Sequence, residues 1–180
     1  MSAVIRLDLL LHEAISTPYH DLVTRPTGAA IRARVLRVLQ DTPGVDAALD
    51  FSAVGVMDFS CADEVVAKLL TADDLPVTRV ILLGVSEDHA DAIEHALTCH
   101  GLAVVAVVID STHPRLLGSV TDDGHAVFAA LVAFGRAQAT PIADALAWPA
   151  ARALDALQDL ARRRCVFAHP DATFEFGAVA

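Results

Sequence analysis

Two apolar runs of strand length, separated by one amphipathic helix, constrain the fold of this chain more than any other feature. Residues 77–84 (VTRVILLG) and 102–109 (LAVVAVVI) are the two runs, and residues 86–100 between them have helical periodicity. Ser86 suits the N-cap of that helix, and Gly101 suits its C-terminal end. Strand, helix and strand in this order favour an α/β domain with helices packed on a sheet.

The same alternation extends towards the N-terminus. Residues 27–40 predict a helix that Thr27 caps, residues 46–57 predict a buried or half-buried strand, and residues 61–70 predict a second helix. We interpret residues 4–15 as a first strand or hairpin. The residues expected on the buried face of the first helix are Ile31, Val35, Val38 and Leu39.

The pattern changes after about residue 112. Residues 111–119 (STHPRLLGS) are interpreted as a connector, because they contain proline and glycine. Helices are then predicted over 123–135, 139–147 and 150–164, and two short strands around H-P-D-A over 165–179. We therefore predict two domains, an α/β domain over 1–112 and a small, mostly helical domain over 113–180.

Charge is distributed unevenly between these two segments. The whole chain carries a formal net charge of −10, with 13 Lys and Arg against 23 Asp and Glu. Residues 1–112 hold 7 basic and 16 acidic side chains, and residues 113–180 hold 6 and 7. Because nucleic-acid binders need a basic surface, the first segment is a poor candidate for that role.

Composition and cysteine spacing exclude several classes of protein. No apolar run reaches the ~18 residues of a membrane span, and Asp8, His12 and Glu13 interrupt the N-terminal apolar region where a signal peptide would need continuity. We expect a cytoplasmic protein without membrane partners. The three cysteines lie far apart and predict neither a disulfide framework nor a zinc module: Cys61, Cys99 and Cys165.

Four polar residues gather where the strand over 46–57 gives way to a helix: Asp58, Ser60, Asp63 and Glu64. One interpretation is a capping box, in which the Ser60 hydroxyl accepts from the N–H of Asp63 and an acidic side chain returns the bond. The other is a phosphoswitch, because a phosphate on Ser60 adds about two negative charges at a helix N-terminus and changes what this surface can dock. The two interpretations are compatible.

The first segment resembles STAS domains, the anti-sigma-factor-antagonist type, and more closely the bacterial STAS-like domain of unknown function. The resemblance rests on Leu49-Asp50-Phe51-Ser52-Ala53-Val54, on Ser60, on Ala62-Asp63-Glu64 and on the upstream T-R-P-T-G-A-A-I-R. It covers residues 4–110 and implies a domain that docks a kinase-type or sigma-type partner. The family's Asp-Ser-Ser-Gly turn reads Asp58-Phe59-Ser60-Cys61 here, so Ser60 matches the second serine.

The second segment resembles the winged helix-turn-helix of bacterial regulators over about residues 120–179. The resemblance rests on 139-ATPIADALAWPAARALDALQDLARRRCVF-167. It implies DNA contacts by Arg152 and Gln158 at base edges and by Arg162, Arg163 and Arg164 at phosphates. Asp155 and Asp159 share that row and oppose phosphate, so a winged helix used for protein contacts stays an alternative. Trp148 is interpreted as a core anchor.

Catalytic and metal chemistry have little support in the sequence. The common nucleophile, phosphate-binding and zinc-protease motifs are missing, and we predict no enzyme activity and no cofactor. Asp91, His95 and Cys99 share one helix face at i, i+4 and i+8, but a solvated face explains them as well, and we assign no metal.

The sequence thus predicts a non-enzymatic bacterial regulator that acts in transcription through partner switching. Its docking surface is the turn 58–64, and Ser60 is the switch residue. Two alternatives stay open. One is a small-ligand sensor with an anion held by Arg25 and Ser60. The other is an assembly protein whose winged helix mediates homodimerisation.

Overall fold

The computed structural model describes residues 2–15, 20–73, 75–111 and 113–177, and its centre is a mixed five-stranded sheet. The first four strands run parallel in chain order, and the fifth pairs antiparallel with the fourth at one edge. The strands are β1 (Ser2–Arg6), β2 (Asp46–Asp50), β3 (Arg79–Val85), β4 (Ala103–Val108) and β5 (Pro114–Gly118). The chain is therefore an α/β protein, as predicted.

Helices cover one face of this sheet, since crossovers between successive parallel neighbours return on the same side. They are α1 (Leu7–Ile15), α2 (Arg25–Gln40), α3 (Phe59–Ala62), α4 (Lys68–Leu70) and α5 (Glu87–His100). A π-helical turn, Asp63–Ala67, joins α3 to α4. The core on this face brings Leu49 and Leu82 of the sheet against Ile31 and Val35 of α2.

The ends of the helices show which cap predictions hold. Ser86 caps α5 by accepting a hydrogen bond from the backbone N–H of His89 (3.1 Å), and Gly101 ends the helix in the left-handed conformation at φ 65°. Both predictions are confirmed. The predicted cap at Thr27 is wrong, because α2 begins at Arg25 and Thr24 stands at the cap position.

Two strand predictions are confirmed only in part, by β1 and β2. Residues 4–15 form no hairpin: β1 ends at Arg6, and α1 follows directly because Leu7 and Leu11 are buried at helical spacing. The strand predicted over 46–57 ends at Asp50. Residues 51–57 form an irregular segment instead, with Met57 in a single parallel bridge to Leu22.

The stretch interpreted as a connector contributes a strand. Residues 114–118 pair with β4 from Val107↔Pro114 to Ala103↔Gly118, so the segment after the predicted boundary supplies the edge of the main sheet. Proline is tolerated there, at the first residue of an edge strand. Residue 112, at the boundary itself, lies outside the described residues, and the division into two domains stays a prediction.

The remaining elements pack on the second face of the sheet. They are α6 (Asp122–Phe134), β6 (Arg136–Gln138), α7 (Ala139–Leu146), α8 (Ala150–Arg162), β7 (Phe167–Ala168) and β8 (Thr173–Glu175). The three predicted helices and the terminal hairpin are confirmed, except that residues 178 and 179 lie outside the described residues. β6 adds a third strand in the order β6-β8-β7. Val105 and Leu116 share a core with Leu131 of α6 and Leu157 of α8.

Candidate functional site

The candidate site lies where β2 gives way to α3, and a second segment of chain runs beside it. The backbone N–H of Leu22 donates to the carbonyl of Val56 (2.7 Å), and the N–H of Asp58 donates to the carbonyl of Leu22 (3.1 Å). The N–H of Gly55 donates to the carbonyl of His20 (2.7 Å). Residues 20–24 and 54–58 therefore form one surface, although 30 or more residues separate them in the chain.

Asp58, rather than Ser60, caps the helix. Its Oδ1 accepts from the backbone N–H of Cys61 (2.8 Å) and also from the hydroxyl of Ser60 (2.8 Å). Asp58 has the extended backbone typical of an N-cap, whereas Ser60 already lies inside α3. The predicted capping box at Ser60 is therefore wrong, and the Ser60 hydroxyl is a donor to the capping carboxylate.

Asp58 also reaches across to the neighbouring segment. Its Oδ2 accepts from the backbone N–H of Thr24 (3.1 Å). Burial acts to raise the pKa of Asp58, but hydrogen bonds from the backbone of Cys61 and Thr24 and from the Ser60 hydroxyl outweigh it, so this pKa lies below its ordinary value. Asp58 is thus an anion at neutral pH, with its oxygens committed to three neighbours.

Thr24 has a backbone conformation that residues with a Cβ rarely adopt. Its φ is 76° and its ψ is 136°, in a region that glycine favours. Three contacts hold it there: the bond to Asp58, a thiol donated by Cys61 to its carbonyl (3.0 Å), and a hydroxyl contact with Thr27 (3.1 Å). The strained residue and the capping carboxylate are therefore parts of one bonded unit.

Asp63 and Glu64 lie inside the helix layer, not on the surface beside Ser60. Their exposed fractions are 6% and 4%. Arg25 Nη1 donates to Asp63 Oδ2 (2.7 Å) and to Glu64 Oε1 (2.9 Å). Lys68 also pairs with Glu64, Arg32 pairs with its other oxygen (3.1 Å), and His100 Nε2 lies 2.7 Å from Asp63 Oδ1. Of the four polar residues that the sequence groups at this turn, Asp63 and Glu64 therefore belong to a buried ion-pair network.

Cationic partners decide the ionisation of this buried pair. Burial acts to raise the pKa of both groups, but the hydrogen bonds of Arg25 and His100 to Asp63, and of Lys68 and Arg25 to Glu64, hold each pKa below its usual value. The two residues also begin the π-helical turn that joins α3 to α4. Such turns are rare and occur often at functional sites.

Exposed apolar side chains surround the cap. Val23 and Val56, on the two paired segments, are 40% and 62% exposed, and Phe59, the first residue of α3, is 40% exposed. The Phe59 ring meets the ring of His95 edge to face, with centroids 4.8 Å apart. We call Val23, Val56 and Phe59 the turn patch. Single exposed apolar residues are ordinary, but three on adjoining segments make this surface a candidate for docking.

Arg25, the predicted anion contact, is committed to Asp63 and Glu64 through the same nitrogen. An anion bound by Arg25 and Ser60 must therefore compete with two buried carboxylates. On α5, Asp91, His95 and Cys99 are all exposed, as the solvated-face interpretation expected, whereas His89 is buried and donates its Nε2–H to the carbonyl of Gly55 (2.6 Å). Among the described residues, no group of three or more His, Cys, Asp or Glu is placed to hold a metal ion.

Acidic partners hold most of the candidate DNA contacts of α8. Arg152 donates twice to Asp123 (2.7 and 2.6 Å) and lies 3.9 Å above the ring centre of Trp148. Arg162 and Arg163 both pair with Asp159 (3.2 and 2.7 Å). Gln158 and Arg164 are exposed. Three of the five residues predicted to meet DNA are therefore paired with carboxylates.

Sequence reasoning missed three of the residues that build the site. Thr24 entered only as the first residue of the T-R-P-T stretch, and nothing in a threonine indicates a positive φ. Arg32 and Lys68 were given no role, although the acidic pair Asp63-Glu64 needed cationic partners once its helix was buried. The requirement that buried charges be paired was the signal that could have indicated these two partners.

Comparison of the chain with protein-family models, with curated proteins and with solved structures gives no match. The STAS-like and winged-helix resemblances therefore stay predictions from the sequence. None of the helices in the described ranges combines the length and apolar character needed to cross a bilayer.

Proposed function

We propose that the protein is a non-enzymatic, cytoplasmic regulator of bacterial transcription that docks a kinase-type or sigma-type partner through the turn patch and its neighbour Ser60. The STAS-like segment is the docking domain, and the winged helix transmits the state of that domain. The observation that carries the proposal is the grouping of Val23, Val56 and Phe59 around a serine whose hydroxyl is bonded to the capping carboxylate.

The switch in this proposal is a phosphoryl transfer to Ser60. A partner kinase moves the terminal phosphoryl group of a nucleoside triphosphate to Ser60 Oγ, the hydroxyl proton passes to solvent, and the nucleoside diphosphate leaves. The phosphate carries about two negative charges and stands beside the Asp58 anion, so the Ser60–Asp58 bond is lost and the carboxylate is repelled. Because Asp58 also holds Thr24, the change reaches both segments of the docking surface.

The C-terminal elements support a winged helix that meets protein rather than DNA. Their order, α-β-α-α-β-β, and the three-stranded sheet β6-β8-β7 suit that fold. On α8, however, Arg152 is bonded to Asp123, and Asp155 and Asp159 share the same surface. Two acids in a groove-facing row oppose phosphate, so we assign this face to protein contacts.

Affinity capture with patch variants tests docking. The wild-type protein and a Val56→Asp/Phe59→Asp variant are immobilised and exposed to lysate of the source cells, and retained proteins are measured by quantitative mass spectrometry. Val4→Asp is the matched control, because Val4 is 52% exposed on the edge strand β1. We expect one partner that wild type and Val4→Asp retain and the patch variant loses; equal retention by all three contradicts the proposal.

DNA binding is the second candidate, and the observation that favours it is the exposure of Gln158, Arg162 and Arg164 towards the end of α8. Binding of the purified protein to random duplex DNA across a salt series decides it. Phosphate contacts give binding that weakens steeply with salt, whereas no binding at low salt excludes a groove-reading α8. We expect the second result.

A further inference from the structure

A cavity of about 350 Å³ lies at the junction between the main sheet and the C-terminal elements. The loop after α4 and the starts of β3 and β4 line one side, and the end of α8 lines the other. The volume falls within the range of small-molecule sites, which lie preferentially between structural units. It shares no lining residue with the turn patch.

Arginine dominates the polar lining. Arg79, Arg162, Arg163 and Arg164 contribute four of the thirteen Lys and Arg residues of the chain to this one cavity. Asp73 is the carboxylate among the described lining residues. Two more carboxylates stand behind the arginines, Asp46 on Arg79 and Asp159 on Arg162 and Arg163. Among the described residues, four cations stand against three anions at this cavity, on a protein whose net charge is −10.

Arg79 is the buried arginine of this set, with an exposed fraction of 2%. It donates Nη2 to Asp46 (2.7 Å) and Nη1 to the carbonyl of Phe176, and it lies between the rings of Phe167 and Phe176. Its Nε is buried and has no hydrogen-bond partner among the described residues. Both Nη groups already have acceptors and the Nε is buried, so Arg79 is a fixed charge behind this wall of the cavity and not a free donor.

Arg164 lies in the turn that ends α8. Its φ is 59°, in the left-handed region, just after α8 ends at Arg162. Beside it, Arg163 donates to the carbonyl of Gly101 (3.1 Å), which fixes the end of α8 against the main sheet. The N–H groups of Arg164 and Cys165 donate to the carbonyls of Ala161 (3.0 Å) and Leu160 (2.9 Å), so this conformation closes α8 in a Schellman motif and fixes where Arg164 starts.

The opposite side of the cavity is apolar. Leu70, Leu75, Val80, Leu102 and Val104 contribute to the lining, and Ala72 lies among them. A guanidinium fork binds carboxylate or phosphate through two parallel hydrogen bonds, and the aliphatic wall suits a hydrocarbon or ring. The cavity therefore has a place for a charged head and a place for an apolar body.

We propose that this cavity binds a small organic anion, a phosphate or carboxylate head on an apolar body, with Arg164 holding the head and Arg79 contributing a fixed positive charge behind the wall. This site is independent of the proposed function, because neither the turn patch nor Ser60 takes part in it. A ligand here bridges the main sheet and α8, so it fixes the C-terminal elements on the sheet.

Ligand-observed NMR and titration calorimetry on the full chain test the site, with phenyl phosphate, benzoate, benzyl alcohol and inorganic phosphate as probes. We expect at least one of the two organic anions to bind with a dissociation constant of about 1 mM or tighter. Comparing phenyl phosphate with benzoate shows whether the site prefers a phosphate or a carboxylate head. Benzyl alcohol, which lacks the charge, is expected to bind at least ~10-fold more weakly.

Two variants attack the site in different ways. Arg164→Gln removes a head contact, and Ala72→Trp fills the apolar side without changing charge; each is expected to weaken binding at least ~10-fold. Arg136→Gln is the matched control, because Arg136 pairs with Asp171 on the small sheet, outside the cavity lining. It should bind as wild type does. Circular dichroism and thermal unfolding establish that each variant is folded.

Several results would overturn the site. The proposal fails if neither organic anion binds, or if both variants bind as wild type does. It also fails if inorganic phosphate binds as well as phenyl phosphate and Arg136→Gln weakens binding equally, because the protein then binds an adventitious ion only. Should a variant fail to fold, amide shift mapping on the wild type decides: the shifts must centre on Gly101, Ala103 and Arg164, and shifts elsewhere reject the cavity.

Discussion

The carboxylate of Asp58 accepts a hydrogen bond from the backbone N–H of Thr24, with N and Oδ2 3.1 Å apart. The same side chain caps α3 and accepts the hydroxyl of Ser60. One carboxylate therefore joins the start of a helix, a backbone segment in a strained conformation and the candidate modification site. A change at any of the three is felt by the other two.

Replacing Thr24 by glycine should stabilise the protein. At φ 76° a Cβ is strained and glycine is not, so Thr24→Gly should raise the free energy of unfolding by about 1 kcal/mol relative to Thr24→Ala. The alanine variant is the control, because it removes the same hydroxyl but keeps the Cβ. Urea unfolding of the pair measures the difference. A glycine variant less stable than the alanine variant would show that Thr24 is not strained.

Glu64 should contribute to stability in a pH-dependent way. Its folded pKa is depressed, so the contribution is present above the unfolded pKa of about 4 and is lost as pH falls through the folded value. Glu64→Gln leaves Arg32 and Lys68 facing a neutral group and should cost about 3 kcal/mol at pH 7. The cost should shrink as pH falls from about 5 towards about 3.

Urea unfolding across that pH range measures this effect. Glu87→Gln is the matched control, because its side chain is 69% exposed in the pair with Arg115 and should change stability by at most about 0.5 kcal/mol at any pH. A Glu64→Gln cost that stays constant with pH would contradict the assigned ion pairs.

Thiol reactivity should separate the three cysteines. Burial raises the pKa of Cys61 and of Cys165 to about 12, whereas Cys99 is exposed on α5. Because the thiolate is the reactive form, Ellman's reagent at pH 8 should modify Cys99 alone in the folded protein and all three thiols in denaturant. Cys99→Ser should abolish the native reaction. Fast reaction at Cys61 would mean that the contact between α2 and α3 opens readily.

The sequence predicted the elements whose signals are local. The helix α5 was predicted with its caps because Ser86 and Gly101 lie next to the residues that they cap. The small sheet was predicted only as a hairpin, since β6 is three residues long and pairs with β8 from 35 or more residues away. Short strands give almost no periodicity, and their pairing is decided by tertiary packing.

The sequence predicted the position of the candidate site, but not the hydrogen-bond partners of its residues. Asp58 and Ser60 do meet at the start of a helix, as their spacing suggested. The partners that fix their roles lie 34 or more residues away, at Thr24 for Asp58 and at Arg25 for Asp63. Contacts between residues this far apart in the chain depend on how α2 packs against α3, and no local sequence pattern indicates that packing.

The most direct test of the account is the effect of a negative charge at Ser60 on partner binding. The partner isolated by affinity capture is titrated calorimetrically into wild type, Ser60→Glu and Ser60→Ala, with Ser111→Glu, an exposed serine two strands further along the sheet, as the control. We predict that Ser60→Glu changes the dissociation constant at least ~10-fold, while Ser60→Ala and Ser111→Glu bind as wild type does. Equal affinity of Ser60→Glu and wild type would contradict a switch at this turn.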